Sequence, residues 1–116
     1  MDLTTQKCVP CEGNVKPFSK EEAVDYLKMT RDWELLATKG PTLKVRPLSI
    51  KRKFIFKDFM EALAFTNKVG ELANQENHHP DIFIHNYKKV DITLSTHAIG
   101  GLSVNDMIMA AKINQL

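Results

Sequence analysis

All four histidines of this 116-residue chain fall within about one fifth of its length, at His78, His79, His85 and His97. Imidazole is the side chain that gains or loses a proton near neutral pH, so it can act as a general acid or base. It is also a common metal ligand. The cluster therefore predicts proton-transfer chemistry or metal binding, unless these residues simply lie in solvated loops.

The adjacent pair His78 and His79 follows a predicted long helix and stands before Pro80. A proline restricts the preceding residue, here His79, to an extended conformation. Neighbouring side chains of an extended segment point in different directions, which favours two separate contacts over chelation of one ion. The alternative is a solvated loop between a helix and a strand.

The last histidine, His97, ends a segment in which apolar and polar residues alternate from position 90 onward. If the apolar side packs beneath helices, His97 lies on the opposite side, beside Ser95. It also precedes a Gly-Gly pair that gives a flexible approach to the next helix. The alternative is an exposed histidine at a strand end. His85, in the segment "IHNYKK", is predicted to lie in a polar surface loop.

Metal binding by the site histidines, His78, His79 and His97, is the competing hypothesis. Ligating histidines usually have carboxylate partners that orient the ring. The nearby carboxylates show no diagnostic spacing; they are Glu76, Asp81 and Asp91. General acid–base chemistry is therefore favoured over a metal site, and the prediction is that the protein uses no metal.

The two cysteines, Cys8 and Cys11, form a CxxC motif without a second pair. A structural zinc site usually has four ligands, so the motif predicts an incidental, reduced pair. A disulfide or a metal completed by a partner protein are the alternatives. No serine or cysteine has the sequence setting of a nucleophile, and no glycine-rich phosphate loop is recognisable.

The net charge of +2 is nearly balanced and predicts no partner by itself. One basic group could bind nucleic acid; it comprises Lys44, Arg46, Lys51, Arg52, Lys53 and Lys57. Strand alternation divides it between two faces and no set of stacking aromatic residues accompanies it, so a solvated sheet edge is favoured. Neither a signal peptide nor an apolar run of membrane-spanning length is recognisable. The expectation is a soluble intracellular protein.

Periodicity and capping signals divide the rest of the chain into seven elements. The first helix begins with a capping box of Ser19 and Glu22, and a long helix begins at Asp58. The last helix begins at Ser103, with Asp106 at the third helical position. Strands are predicted in "WELLATKG", in "LKVRPLSIKRKFIFK" as one or two strands, and as one strand within residues 81–99.

The resulting order is α-β-β-β-α-β-α. It predicts an α+β fold of two layers, in which an approximately four-stranded, mostly antiparallel sheet carries three helices on one face. Residues 1–17 are predicted to be a mobile N-terminal lead and residues 18–116 a single domain. The wide apolar surface of the long helix admits a subunit contact, although core packing is the commoner explanation.

The segments "NHHPDI" and "ITLSTHAIGGLSVND" closely resemble those of the pterin-4a-carbinolamine dehydratases. The resemblance extends from Phe18 to the C-terminus. It implies an enzyme that removes water from 4a-hydroxytetrahydropterin and gives quinonoid dihydropterin. This reaction recycles the tetrahydropterin of aromatic amino acid hydroxylases, and the family needs neither metal nor cofactor for it.

The resemblance also implies which residues act. The family's active-site histidines fall on His78, His79 and His97. Its substrate-binding segments fall on Asn77, His78, His79, Pro80, Ser95, Thr96, His97 and Ala98. We expect His78 and His97 to transfer protons and His79 to hold the hydroxyl side of the pterin. Main-chain groups of Ser95 and Thr96 are expected along the pterin's amide edge.

Differences from the animal members of the family fall on Asn74, Asn77, Ile82 and Ile99. They leave the preferred pterin side chain open. They also weaken the transfer of the animal protein's second role, as a dimerisation cofactor of a homeodomain transcription factor. The expected partners are a pterin and further copies of the chain, as a homodimer or homotetramer, in the cytoplasm or nucleus. The alternative is a non-catalytic module that stabilises oligomers of another protein.

Overall fold

The computed structural model describes residues 2–9, 16–39 and 45–116. Within these ranges the elements are a 3-10 turn at Leu3–Thr5, α1 (Lys20–Leu27), β1 (Glu34–Lys39), β2 (Val45–Ile55), α2 (Phe59–Glu76), β3 (Asp81–His85), β4 (Lys89–Leu94), a 3-10 turn at His97–Ile99 and α3 (Val104–Ile113). The predicted α+β class is confirmed. No helix in the described ranges is long and apolar enough to cross a membrane.

The four described strands form one antiparallel sheet in the order β1-β2-β4-β3. The pairing of β1 with β2 shifts register between Leu36 and Ala37, opposite Ser49 and Pro47. Proline cannot donate a main-chain hydrogen bond to a ladder, so an irregularity there is expected. The predicted break at Pro47 therefore takes the form of a bulge within a continuous β2.

The strand order along the chain differs from the prediction at two points. The segment before α2 forms one strand, β2, and the segment after α2 forms a hairpin of two strands, β3 and β4. Its turn places Asn86 and Tyr87 at φ values of 47° and 52°. This left-handed turn usually contains glycine, and its absence hid the hairpin from sequence reasoning. His85 is accordingly in β3, and the predicted surface loop at this residue is wrong.

One face of the sheet carries the core. Ile50 is paired with Leu94, and these residues with Val90 and Ile92 are fully buried. Apolar side chains of all three helices belong to the same buried cluster, which places the helices on that face as predicted. Each such side chain typically contributes about 1.5–3 kcal/mol through burial.

The helix ends follow the capping signals. Ser19 with Glu22 and Ser103 with Asp106 form complete capping boxes at α1 and α3, and Asp58 caps α2. α2 ends at Glu76, and its C-cap residue Asn77 has a left-handed backbone (φ 52°, ψ 41°). This reversal turns the chain toward α3 and so determines where the next two residues, both histidines, lie.

The segment predicted as a mobile lead contacts the helices where it is described. Leu3 is buried with 3% of its surface exposed, and its 3-10 turn packs against α3. The domain boundary at residue 18 stays a prediction. The CxxC hypothesis lies partly outside the described residues, because Cys11 is not among them. So does the basic group, because Lys44 is not described.

Candidate active site

The end of α2 holds the first site histidine. The main-chain N–H of His78 donates to the carbonyl of Ala73 at 3.1 Å, which closes the helix after the left-handed Asn77. The imidazole is then directed at α3, where its Nε2 lies 2.7 Å from Oδ1 of Asp106. Only 12% of the His78 side chain is exposed, so the ring is fixed by both the loop and the carboxylate.

Asp106 is fully buried and joins three parts of the chain. Besides His78, it accepts hydrogen bonds at Oδ2 from the hydroxyl of Thr96 (2.8 Å) and from the main-chain N–H of Ser103 (3.0 Å). Its place in the first turn of α3 also suits a negative charge, because the helix dipole is positive there. A carboxylate only accepts, so Nε2 of His78 donates, and the neutral ring keeps its lone pair at Nδ1.

Sequence reasoning recognised Asp106 only as a helix cap and found no carboxylate partner for the histidines. The partner lies 28 positions from His78, so local spacing could not identify it. The capping box of Ser103 and Asp106, close after Thr96 and His97, was the available signal. An aspartate that caps a helix with one carboxylate oxygen can still bind a site residue with the other.

The second histidine, His79, is exposed. Its Nε2 lies 3.0 Å from Oδ1 of Asn74, one turn back along α2. His78 and His79 therefore contact different partners, on α3 and on α2, as the divergence of adjacent side chains in an extended segment predicts.

The third histidine, His97, begins the 3-10 turn after β4 and is exposed. Its loop is closed by an isolated bridge in which the N–H of Thr96 donates to the carbonyl of Gly101 at 2.8 Å. Gly100 has a φ of 66°, which glycine adopts without strain. The loop thus presents His97 close to the end of β4, with its side chain exposed.

These loops border a cavity of about 380 Å³, which we call the histidine pocket; it is lined by Val9, Asn77, His78, His79, Ser95, Thr96, His97, Ala98 and Asn105. Of the predicted site residues, Pro80 does not line the cavity. Val9 and Asn105 were not predicted. Its volume lies within the range of small-molecule sites. Three imidazoles around one such cavity can deliver and remove protons at neutral pH.

His85, the fourth histidine, does not line the pocket. Its Nε2 lies 3.1 Å from Oδ1 of Asp91, and its ring stacks on Phe83 with the ring centres 4.8 Å apart. Burial would raise the pKa of Asp91, but the neighbouring His85 and Lys51 outweigh burial and hold that pKa below its ordinary value. This second His–Asp pair lies on the sheet face opposite the helices.

Metal ligation has no support from the arrangement of donors. Within residues 2–9, 16–39 and 45–116, no three side chains of His, Cys, Asp or Glu are grouped as ligands for one ion. The carboxylate next to His78 is already shared with Thr96 and Ser103.

Residues 16–116 match the family described as pterin 4 alpha carbinolamine dehydratase. A Nitrosomonas eutropha protein, provisionally named a pterin-4-alpha-carbinolamine dehydratase, is 42% identical over 99% of this chain and 93% of its own length. Pterin-4-alpha-carbinolamine dehydratase 2, mitochondrial, of Arabidopsis thaliana is 40% identical over 99% of this chain and 59% of its own.

Among solved structures, a Brucella melitensis protein described as a transcriptional coactivator/pterin dehydratase superposes with a TM-score of 0.74. It is 30% identical, and the match covers 86% of this chain and 97% of that one.

Proposed function

Because the chain belongs to the pterin-4a-carbinolamine dehydratase family, we propose that it dehydrates 4a-hydroxytetrahydropterin to quinonoid dihydropterin. The main support for the proposal is that His78, His79 and His97 line one cavity of about 380 Å³. The reaction breaks the bond between C4a and the hydroxyl oxygen and removes the proton of N5. It therefore needs one acid, one base and no redox partner.

His78 is proposed as the base for the N5 proton. A neutral ring that donates its Nε2 proton to Asp106 retains the accepting lone pair at Nδ1. After Nδ1 takes a proton, the imidazolium stays paired with the buried carboxylate, as in other sites where an aspartate orients a catalytic histidine. The proposed acid is His97, which would give its proton to the departing hydroxyl.

His79 is proposed to hold the hydroxyl side of the pterin, because its ring is exposed and its Nε2 is anchored by Asn74. Main-chain contacts to the pterin's amide edge are assigned to Ser95 and Ala98. The N–H of Thr96 already donates to Gly101, and the Thr96 carbonyl accepts from Ile99 and Gly101. Thr96 is thus better suited to shaping the loop than to binding substrate with its main chain.

We also propose that the chain self-associates, as a dimer or tetramer, and that it acts in the cytoplasm. Two apolar side chains at the start of α2 support the association: 45% of Phe59 and 70% of Met60 are exposed. Phe65, further along α2, does not add to this surface, because it is buried against Phe54 and Phe56, with ring centres 4.6 and 5.0 Å apart.

The decisive experiment is a stopped-flow measurement with freshly generated 4a-hydroxytetrahydropterin. Added protein should accelerate formation of the quinonoid product well above the uncatalysed rate, in proportion to its concentration. A rate equal to background would reject the dehydratase and favour the non-catalytic binding module. The description of the Brucella melitensis protein as a transcriptional coactivator is the reason to test that second function.

A further inference from the structure

The N-terminal segment Asp2–Val9, which we call the strap, contributes a residue to the histidine pocket. Val9 lines the pocket together with the three site histidines, and 58% of the valine is exposed. Pro10 follows Val9 in the sequence and favours an extended backbone at the valine. The strap is therefore placed where it can touch a bound molecule, although no motif in the sequence suggested that role.

Asn105 holds the strap by a two-point contact. Its Oδ1 accepts from the main-chain N–H of Val9 at 3.0 Å, and its Nδ2 donates to the Val9 carbonyl. Asn105 is 2% exposed, and a buried amide needs hydrogen-bond partners because its desolvation is costly. The main chain of Val9 supplies two of them, so the position of Val9 is specified and not incidental.

A second anchor holds the neighbouring residue. The main-chain N–H of Cys8 donates to Oε1 of Glu76 at 3.0 Å, and Nζ of Lys112 lies 3.1 Å from the same oxygen. Burial would raise the pKa of Glu76, but these two contacts outweigh burial and lower it. At the other end of the strap, Leu3 is buried with the core.

The two anchors adjoin the residues that position the proposed base. Glu76 directly precedes Asn77, the left-handed residue that directs His78. Asn105 directly precedes Asp106, which binds the His78 ring. The strap is thus tied to residues that closely precede both members of the His78–Asp106 pair, and its Val9 lines the pocket.

From these contacts we infer that the strap is a wall of the substrate site, with Val9 as a substrate-contacting residue and Asn105 as the residue that positions it. The inference rests on the proposed function and identifies the occupant as the pterin substrate. An apolar side chain at the rim packs against the pterin ring system, which displaces water from both surfaces.

The test compares Val9→Ala with Val24→Ala, a matched change at an exposed valine of α1. Binding is measured by fluorescence titration with 7,8-dihydrobiopterin, a stable probe, and turnover by stopped flow. Loss of two half-buried methyl groups should raise Kd and KM for Val9→Ala by about three- to tenfold. The kcat value should stay near that of wild type, and Val24→Ala should match wild type throughout.

Asn105→Asp tests the anchor, since the carboxylate still accepts from the Val9 N–H but cannot donate to the carbonyl. Trypsin cleavage after the exposed Lys7 should become faster, and probe binding should weaken. In the Val9→Ala background the same change should weaken binding less, because both changes act through one contact. In Val9→Ala alone, cleavage after Lys7 should keep the wild-type rate.

The outcomes separate the two proposals. If wild-type protein neither binds the probe nor accelerates dehydration, the proposed function fails and this inference fails with it. If wild type is active but Val9→Ala binds as tightly as Val24→Ala, only the inference fails. Faster cleavage of Asn105→Asp without weaker binding would likewise show that the strap is a tether and no part of the site.

Discussion

His78 and Asp106 are 28 positions apart in the sequence, yet 2.7 Å separates Nε2 of the imidazole from Oδ1 of the carboxylate. We expect Asp106→Asn to lower kcat by about tenfold or more, because an amide can no longer enforce the Nε2-protonated ring. The change keeps side-chain size and an oxygen acceptor for the α3 cap, so circular dichroism should still show a folded protein.

The second His–Asp pair provides a control for that experiment. Asp91→Asn alters the contact with His85, at 3.1 Å, on the sheet face opposite the helices. The change should alter the free energy of unfolding but leave kcat close to that of wild type. An equal loss of kcat in Asp91→Asn and Asp106→Asn would mean that the effect comes from folding and not from orientation of His78.

His78→Ala and His97→Ala should each lower kcat more than they change KM, because both residues are proposed to act in the transition state. A positioned acid or base is typically worth about 10²–10⁴-fold, although uncatalysed dehydration limits the loss that can be measured. The rate of the double variant should approach the uncatalysed rate. Its loss of transition-state stabilisation should be smaller than the sum of the two single losses. His85→Ala should be nearly silent; a loss as large as that of His97→Ala would contradict the site assignment.

His79→Ala should raise KM at least as much as it lowers kcat, since its proposed role is binding. Asn74→Ala removes the anchor of the His79 ring at 3.0 Å and should produce a weaker version of the same change. Both variants are to be compared by steady-state kinetics. A pure kcat defect in His79→Ala would instead assign this residue to proton transfer.

Glu76→Gln should lower the free energy of unfolding. In the acidic range, the free energy of unfolding of the variant should also depend less on pH than that of wild type. The folded-state pKa of Glu76 is lowered, so its contribution is present above the ordinary value of 4.5 and is lost as pH falls through the folded value. The variant loses the charge opposite Lys112 at 3.1 Å, which should cost about 1–3 kcal/mol at neutral pH. Urea unfolding should show the difference between wild type and variant shrinking below pH 4.5. A constant difference would mean that ionisation of Glu76 is not involved.

Self-association is tested by sedimentation of wild type and of Met60→Lys, which places a charge at the most exposed large apolar residue of α2. Wild type should sediment as a dimer or tetramer, and the variant should shift toward the 13.2 kDa monomer. Wild type that is monomeric at micromolar concentration would contradict the proposal.

Local signals were sufficient for the helices and for the fold class. Capping boxes at Ser19 and Ser103 gave helix starts that the structure confirms, because these signals involve residues only three positions apart. The hairpin was missed because its turn uses Asn86 and Tyr87 in left-handed conformations without glycine. Periodicity alone could not separate β3 from β4.

The candidate site was predictable to the extent that residue type reveals chemistry. His78, His79 and His97, the residues to which the resemblance points, line one pocket, and their catalytic roles stay a prediction. The contacts of Asp106 with His78 and of Asn105 with Val9 depend on packing between residues 28 and 96 positions apart. Such contacts leave no local pattern, and the strap was accordingly predicted as a mobile lead.

The left-handed backbone of Asn77 restricts which sequences can carry this pocket. At φ 52° a β-branched residue would be strained, whereas glycine, asparagine and aspartate adopt this conformation with little cost. Backbone geometry therefore limits which residue types can occupy position 77, independently of any selection for substrate binding. Among related chains that retain the two following histidines, those three residue types should dominate position 77, and a valine or isoleucine there would indicate a helix end of different shape.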